Sequence, residues 1–140
     1  MLVLLAAGAC SHADQVPPSD SIKVADARQR WSETGPDDYT MVSEFDCECD
    51  PGGRVETRVE DSRVVALKRL DVSGHPEIDT ELGLTIDRLF EMIAGAVAEG
   101  REVDVVFDPE LGYPTTFTIV WAPEATDGTL EANVTLVSEG

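Results

Sequence analysis

A chain of 140 residues with 28 acidic and 10 basic side chains carries a formal charge of −18. That length suits one domain that buries roughly two thirds of its unfolded surface, so a core can form without staples. The charge argues against nucleic acid and anionic lipid headgroups as partners, because both require a positive face. It serves solubility, and it also fits a high-salt setting or a cationic partner.

The chain opens MLVLLAAGAC. Leu2 to Ala9 is too short to cross a bilayer, yet it has the length of a signal-peptide apolar region, and Ala7-Gly8-Ala9 supply the small residues of a cleavage site. Cys10 follows directly, in the position that is acylated in the lipobox of bacterial lipoproteins. No basic residue precedes the apolar run, and Ala7 stands where leucine is commoner, so the natural start is expected upstream of Met1. The expected organisation is a signal or lipobox-like segment over 1–10, a flexible tether over 11–21 containing His12 and Pro17-Pro18, and one domain over 22–140. Contact with the membrane is expected only through the N-terminal lipid. With Cys10 lipidated, Cys47 and Cys49 remain as an even pair in an oxidising compartment.

From Ile22 to about Ser32 the spacing predicts a helix, with Ile22, Ala25 or Ala27, and Trp31 on one stripe and Gly35-Pro36 as its stop. Tyr39 to Cys49 reads as a strand. Tyr39, Met41, Ser43, Phe45, Cys47 and Cys49 fall on one side, and Thr40, Val42, Glu44, Asp46 and Glu48 on the other. Asp50-Pro51-Gly52-Gly53 turns the chain into a second strand over Arg54–Glu60, and Glu60-Asp61-Ser62 turns it into a third over Arg63–Leu70. Asp71 to Gly83 is a loop. Thr85 then caps a helix over Ile86–Glu99, with Ile86, Leu89, Phe90, Ile93 and Val97 as its core stripe and Gly100 as its end. Strands are expected at Glu102–Phe107, Thr115–Trp121 and Leu130–Val137, with Phe117, Ile119 and Trp121 facing one way. The predicted fold is a two-layer α+β domain in the order α-β-β-β-α-β-β-β. An antiparallel sheet of about six strands carries two helices on one face. The repeated order also fits a diverged internal duplication.

Several residues recur in a recognisable order: Trp31, Tyr39, the Cys47-x-Cys49 pair, Val59-x-Asp61-x-x-Val64, Thr85-Ile86-Asp87-x-Leu89-Phe90, and Phe107-Asp108-Pro109-x-Leu111-Gly112-Tyr113-Pro114. Together they resemble a domain-of-unknown-function family of bacterial exported proteins and candidate lipoproteins, over roughly Trp31 to Val137. Phe107 stands where that resemblance implies a tyrosine, and Ser62 where it implies a turn glycine. The resemblance implies export and a single fold, and carries no activity with it.

Cys47 and Cys49 leave three readings open. In a regular strand their Cα atoms would lie ~6.6 Å apart, from a rise of ~3.3 Å per residue. That is near the edge of the ~4.4–6.8 Å window for a disulfide, so a bridge needs a local twist. The alternatives are two reduced thiols packed as small hydrophobes, or a functional pair for redox chemistry or Cu(I). Glu44, Asp46, Glu48 and Asp50 would raise thiol pKa values and so oppose a reactive thiolate. Those carboxylates match no EF-hand spacing for Ca²⁺, and zinc lacks a second cysteine pair, with His75 the sole ordered histidine. No metal or cofactor is called for.

Asp108, Pro109, Leu111, Gly112, Tyr113 and Pro114 form a turn with two readings: a contact loop with Tyr113 exposed at its tip, or a shape-critical turn whose Leu111 and Tyr113 pack back on the core. Catalysis lacks a base beside a nucleophile, with His75 the one candidate, and no Gly-x-Ser-x-Gly, phosphate-binding glycine loop or His-Glu-x-x-His occurs. The expected function is therefore a non-catalytic binding or structural module of the bacterial cell envelope, lipid-anchored or secreted, contacting an envelope protein or ligand through its sheet face and the 108–114 turn. The alternative is a thiol redox or copper-handling protein using Cys47 and Cys49.

Overall fold

Two hydrophobic periods in the sequence become two layers in space. The computed structural model describes residues 19–47, 52–122 and 128–137; Cys10 and Cys49 lie outside them. In chain order the elements are α1 (Ser19–Thr34), β1 (Tyr39–Asp46), β2 (Gly53–Glu60), β3 (Arg63–Arg69), α2 (Ile86–Ala98), β4 (Val103–Phe107), β5 (Pro114–Val120) and β6 (Thr129–Val137). A 3-10 turn at Thr80–Leu82 precedes α2. This is the expected α+β order.

The six strands form one sheet in the order β3-β2-β1-β6-β5-β4, with every neighbouring pair antiparallel. Strict alternation on β1 turns Tyr39, Met41, Ser43 and Phe45 inward. Register carries that inward row to Val59, Thr57 and Val55 on β2, and to Leu136, Val134 and Ala132 on β6. Thr40, Val42, Glu44 and Asp46 lie on the opposite face, which no described helix covers.

α2 forms because Thr85 caps it, its Oγ1 accepting the Arg88 N–H at 3.2 Å. Ile86, Leu89, Phe90, Ile93 and Ala96 are then buried on a single stripe. Gly100, at φ +78, turns the chain so that the Arg101 N–H returns to the Ala96 carbonyl at 3.0 Å. Phe90 is fully buried and stacks on Phe107 at 6.0 Å, a burial worth about 1.5–3 kcal/mol for such a ring.

α1 departs from expectation at its start and in its stripe. It begins at Ser19, inside the expected tether, and buries Val24, Ala27 and Trp31. Ile22 is 44% exposed and Ala25 is exposed. The helix ends as expected: the Gly35 N–H donates to the Trp31 carbonyl at 2.7 Å, and a Cβ at Gly35 would come within 2.5 Å of the Trp31 ring. Trp121 is also a correction. β5 stops at Val120, and Trp121 is 41% exposed beneath the Arg101 guanidinium, 4.6 Å from its ring centre.

The duplication reading does not survive the sheet order. Carrying α1-β1-β2-β3 onto α2-β4-β5-β6 shifts each strand three places along the sheet while reversing its direction. A rotation that does this also exchanges the faces of the sheet. The two helices would then lie on opposite faces, yet both pack in one core beside Met41 and Phe117.

Candidate functional site

β1 delivers Cys47 just past its last residue, half-buried and packed against the core cluster beyond Phe45. Its face therefore follows the alternation expected for it. Glu44 and Asp46 lie exposed on the uncovered side. Among the described residues no three His, Cys, Asp or Glu side chains converge to hold a metal ion. His75 sits at φ +46 in the exposed loop after β3, its N–H donating to the Val72 carbonyl at 3.0 Å.

The 108–114 turn takes the second of its two readings. The Asp108 carboxylate accepts the N–H groups of Glu110 and Leu111 at 3.1 and 2.8 Å, the Gly112 N–H donates to the Asp108 carbonyl, and the Asp108 N–H donates to that of Tyr113. Gly112, at φ +90, lies buried against α1. A Cβ there would meet the Ala27 carbonyl at 2.5 Å, so only glycine allows this approach. Tyr113, expected exposed under the contact-loop reading, is 8% exposed because its ring packs edge-on against Trp31. Pro114 is fully buried and Leu111 half-buried against the core. Pro109 and Glu110 remain exposed.

Trp31 also packs edge-on against Tyr39, with ring centres 5.4 Å apart. The Tyr39 hydroxyl oxygen accepts the Ile86 N–H at 2.8 Å, meeting one of the donors that the first turn of a helix leaves open. Burial pushes the Tyr39 phenol up to about 12, the Ile86 bond opposing this and the nearby Asp87 charge adding to it. The phenol is thus held neutral. Beside it the β2–β3 hairpin turns through Asp61 and Ser62, at φ +52 and +64, the two-residue turn that asparagine and glycine usually make. The turn is clamped from the α1–β1 connection. The Asp61 N–H donates to the Asp38 carboxylate at 2.8 Å and the Ser62 N–H to the Asp37 carbonyl.

These pieces enclose a recess of about 180 Å³ whose lining includes Trp31, Asp37, Tyr39, Ser62 and Asp87. Past Ser62 and Asp87 it continues into a shallow groove bordered by Arg63, Thr80, Thr85 and Arg88. Sequence reasoning placed Trp31, Tyr39 and Asp87 in separate motifs and missed that they meet. The order of recurrence was the available signal; the spatial link runs through the Tyr39–Ile86 bond, which periodicity does not encode.

The family described as "Family of unknown function (DUF6174)" has a model that matches residues 23–139. No curated protein and no solved structure matches the chain.

Proposed function

Because the chain belongs to DUF6174, a family of unknown function, membership carries no activity, and we propose from the chain's own features that it is an exported bacterial cell-envelope protein, lipid-anchored at Cys10, acting as a non-catalytic binding or structural module. The observation that carries the module reading is the uncovered sheet face. Both helices pack on the other side, leaving Thr40, Val42, Glu44, Glu56, Thr116, Thr118, Asn133 and Thr135 on a broad polar surface free of described elements. Its contacts come from this face, with Pro109 and Glu110 as the available part of the 108–114 turn. The Leu2–Ala9 run before Cys10 supports export and acylation. No helix among the described residues is long and apolar enough to cross a membrane. Cys47 and Cys49 form a local disulfide whose effect is on the shape of the end of β1 rather than on stability, since so small a loop gains little from closure.

The test is expression of the chain with an upstream export signal in a bacterium, followed by fractionation, intact mass after alkylation, and metal analysis. The expected product is membrane-bound, releases into the soluble fraction as Cys10→Ser, and carries no alkylatable pair at Cys47 and Cys49. Two alkylated thiols or stoichiometric copper would replace the module reading with thiol redox or copper handling. A soluble product without lipid would end the anchoring reading.

A further inference from the structure

The two edges of the sheet end differently. Along β3, residues 76–78 close the edge: the Arg69 N–H donates to the Pro76 carbonyl and the Ile78 N–H to the Leu67 carbonyl, both at 2.9 Å. Along β4, the last strand on the other side, no described residue does this. The Val120 N–H donates to the Glu102 carbonyl at 3.0 Å, so the antiparallel register makes Asp104–Thr118 and Val106–Thr116 the next bonded pairs. Past the bulge, the Asp108 N–H donates to the Tyr113 carbonyl. Val103, Val105 and Phe107 are therefore the residues whose N–H and C=O groups point away from β5. They form a row of backbone donors and acceptors open to a further strand.

The side chains flanking that row define what fits it. On the inner face Val105 and Phe107 pack against the core cluster yet stay half-buried, so apolar surface remains to be covered. On the outer face Glu102, Asp104 and Val106 are exposed, Val106 by 59%, and neither carboxylate meets a described cation. Arg101, which leads into the strand, is held by the Glu99 carboxylate at 2.8 Å and the Trp121 carbonyl at 2.7 Å. A second copy fits poorly. Two β4 strands paired about Val105 would set Glu102 against Asp108 and give Asp104 no cation, between chains that each carry −18.

We propose that the β4 edge takes an extended segment of a partner protein as a seventh strand, one that alternates apolar with basic residues. Its apolar set covers Val105 and Phe107, and its basic set lies beside Glu102 and Asp104. The backbone row supplies the pairing and the two carboxylates choose the charge. The edge is distinct from the outer sheet face, so the two readings fail separately, and this one stands whether or not the chain is lipidated.

The experiment is amide hydrogen exchange and a ¹H–¹⁵N titration of the full chain, with a short peptide alternating valine and arginine and a counterpart alternating valine and glutamate. In the free chain the Val103, Val105 and Phe107 amides should exchange fast while Asp104 and Val106 are protected. The basic peptide should shift the three edge amides saturably and slow their exchange, an effect that weakens with added salt; the acidic peptide should do neither. Asp104→Lys, at an exposed position, should weaken binding about tenfold. Val105→Pro removes one edge-pointing N–H and leaves the β5 ladder intact, and should weaken it at least as much. Edge amides already protected in the free chain would mean that the chain covers its own edge, and would overturn the proposal. So would a basic peptide that leaves them unmoved, an acidic peptide that binds equally, or shifts at the same amides that grow with protein concentration alone and mark pairing between copies.

Discussion

The inner face of the sheet is covered in two different ways. Over β1, β6, β5 and β4 the cover is helical: Ile86, Leu89, Phe90 and Ile93 of α2 interlock with Met41, Phe117 and Ile119 in a continuous apolar core. Over β2 and β3 the cover is a strap, residues 76–84, tied to β3 by the Lys68–Glu77 bridge and by the Ile78 N–H donating to the Leu67 carbonyl. Beneath the strap lie Val55, Thr57, Leu67 and Ser43, with Leu82 36% exposed above and a small cavity of about 20 Å³ among them. The strap is held close: a Cβ at Gly83 would come within 2.9 Å of Val64. A helix presents a new apolar side chain each turn and seals its face. A strap supplies only Leu82 and Leu84, and the strands below it respond with two hydroxyls in their inward row.

That contrast can be broken by substitution. Phe90→Ala, in the helical half, should cost about 3–5 kcal/mol in denaturant unfolding, since a rigid core collapses little around the void. Leu67→Ala, equally buried but under the strap, should cost about 2–3 kcal/mol, because the strap can settle. Equal losses would mean that the two covers pack alike.

Tyr39→Phe probes the hinge between the halves. It orphans the Ile86 N–H and should cost about 1–3 kcal/mol at neutral pH. The pH dependence has a definite sign. Burial holds the folded phenol at about 12 against its ordinary 10.0, so its contribution is complete below pH 10 and fades as pH rises through 12. Wild type should therefore lose its advantage over Tyr39→Phe across that window, in parallel unfolding curves; a constant gap would remove the burial argument. The smallest effect belongs to Thr57→Val. No described residue bonds the Thr57 hydroxyl, so this change should alter stability by less than about 1 kcal/mol and in the stabilising direction.

The elements were largely legible because each repeats a period locally. The α2 stripe, the β1 alternation and the Thr85 cap are all encoded within a few residues. Where the reading failed, a distant contact decided. In α1 the choice of Val24 over Ile22 is made by what lies beneath the helix. In β3 a bulge leaves Val65 unpaired and 43% exposed, so that Val64 returns to the inner face opposite Val59. Ser62 occupies a left-handed turn without being glycine because Asp37 and Asp38 grip it from another segment. The 108–114 turn was legible as turn chemistry, but burial of Tyr113 at its tip depends on Trp31, 82 residues earlier. The recess was illegible for the same reason: three separate segments, around Trp31–Tyr39, Ser62 and Asp87, meet to form it.

The seam between β1 and β6 has a kinetic consequence. Met41 pairs with Leu136 and Thr40 with Val137, so the middle of the sheet joins the first and the last of the described strands. A chain threaded out N-terminus first can close the β1–β2–β3 meander early, yet β1 keeps one edge bare until β6, the final strand, emerges. Pairings of such long sequence separation form late and slow folding. During synthesis that bare edge is what another chain or a chaperone would meet, and losing the last nine residues of the sheet would divide it down the centre rather than trim its margin.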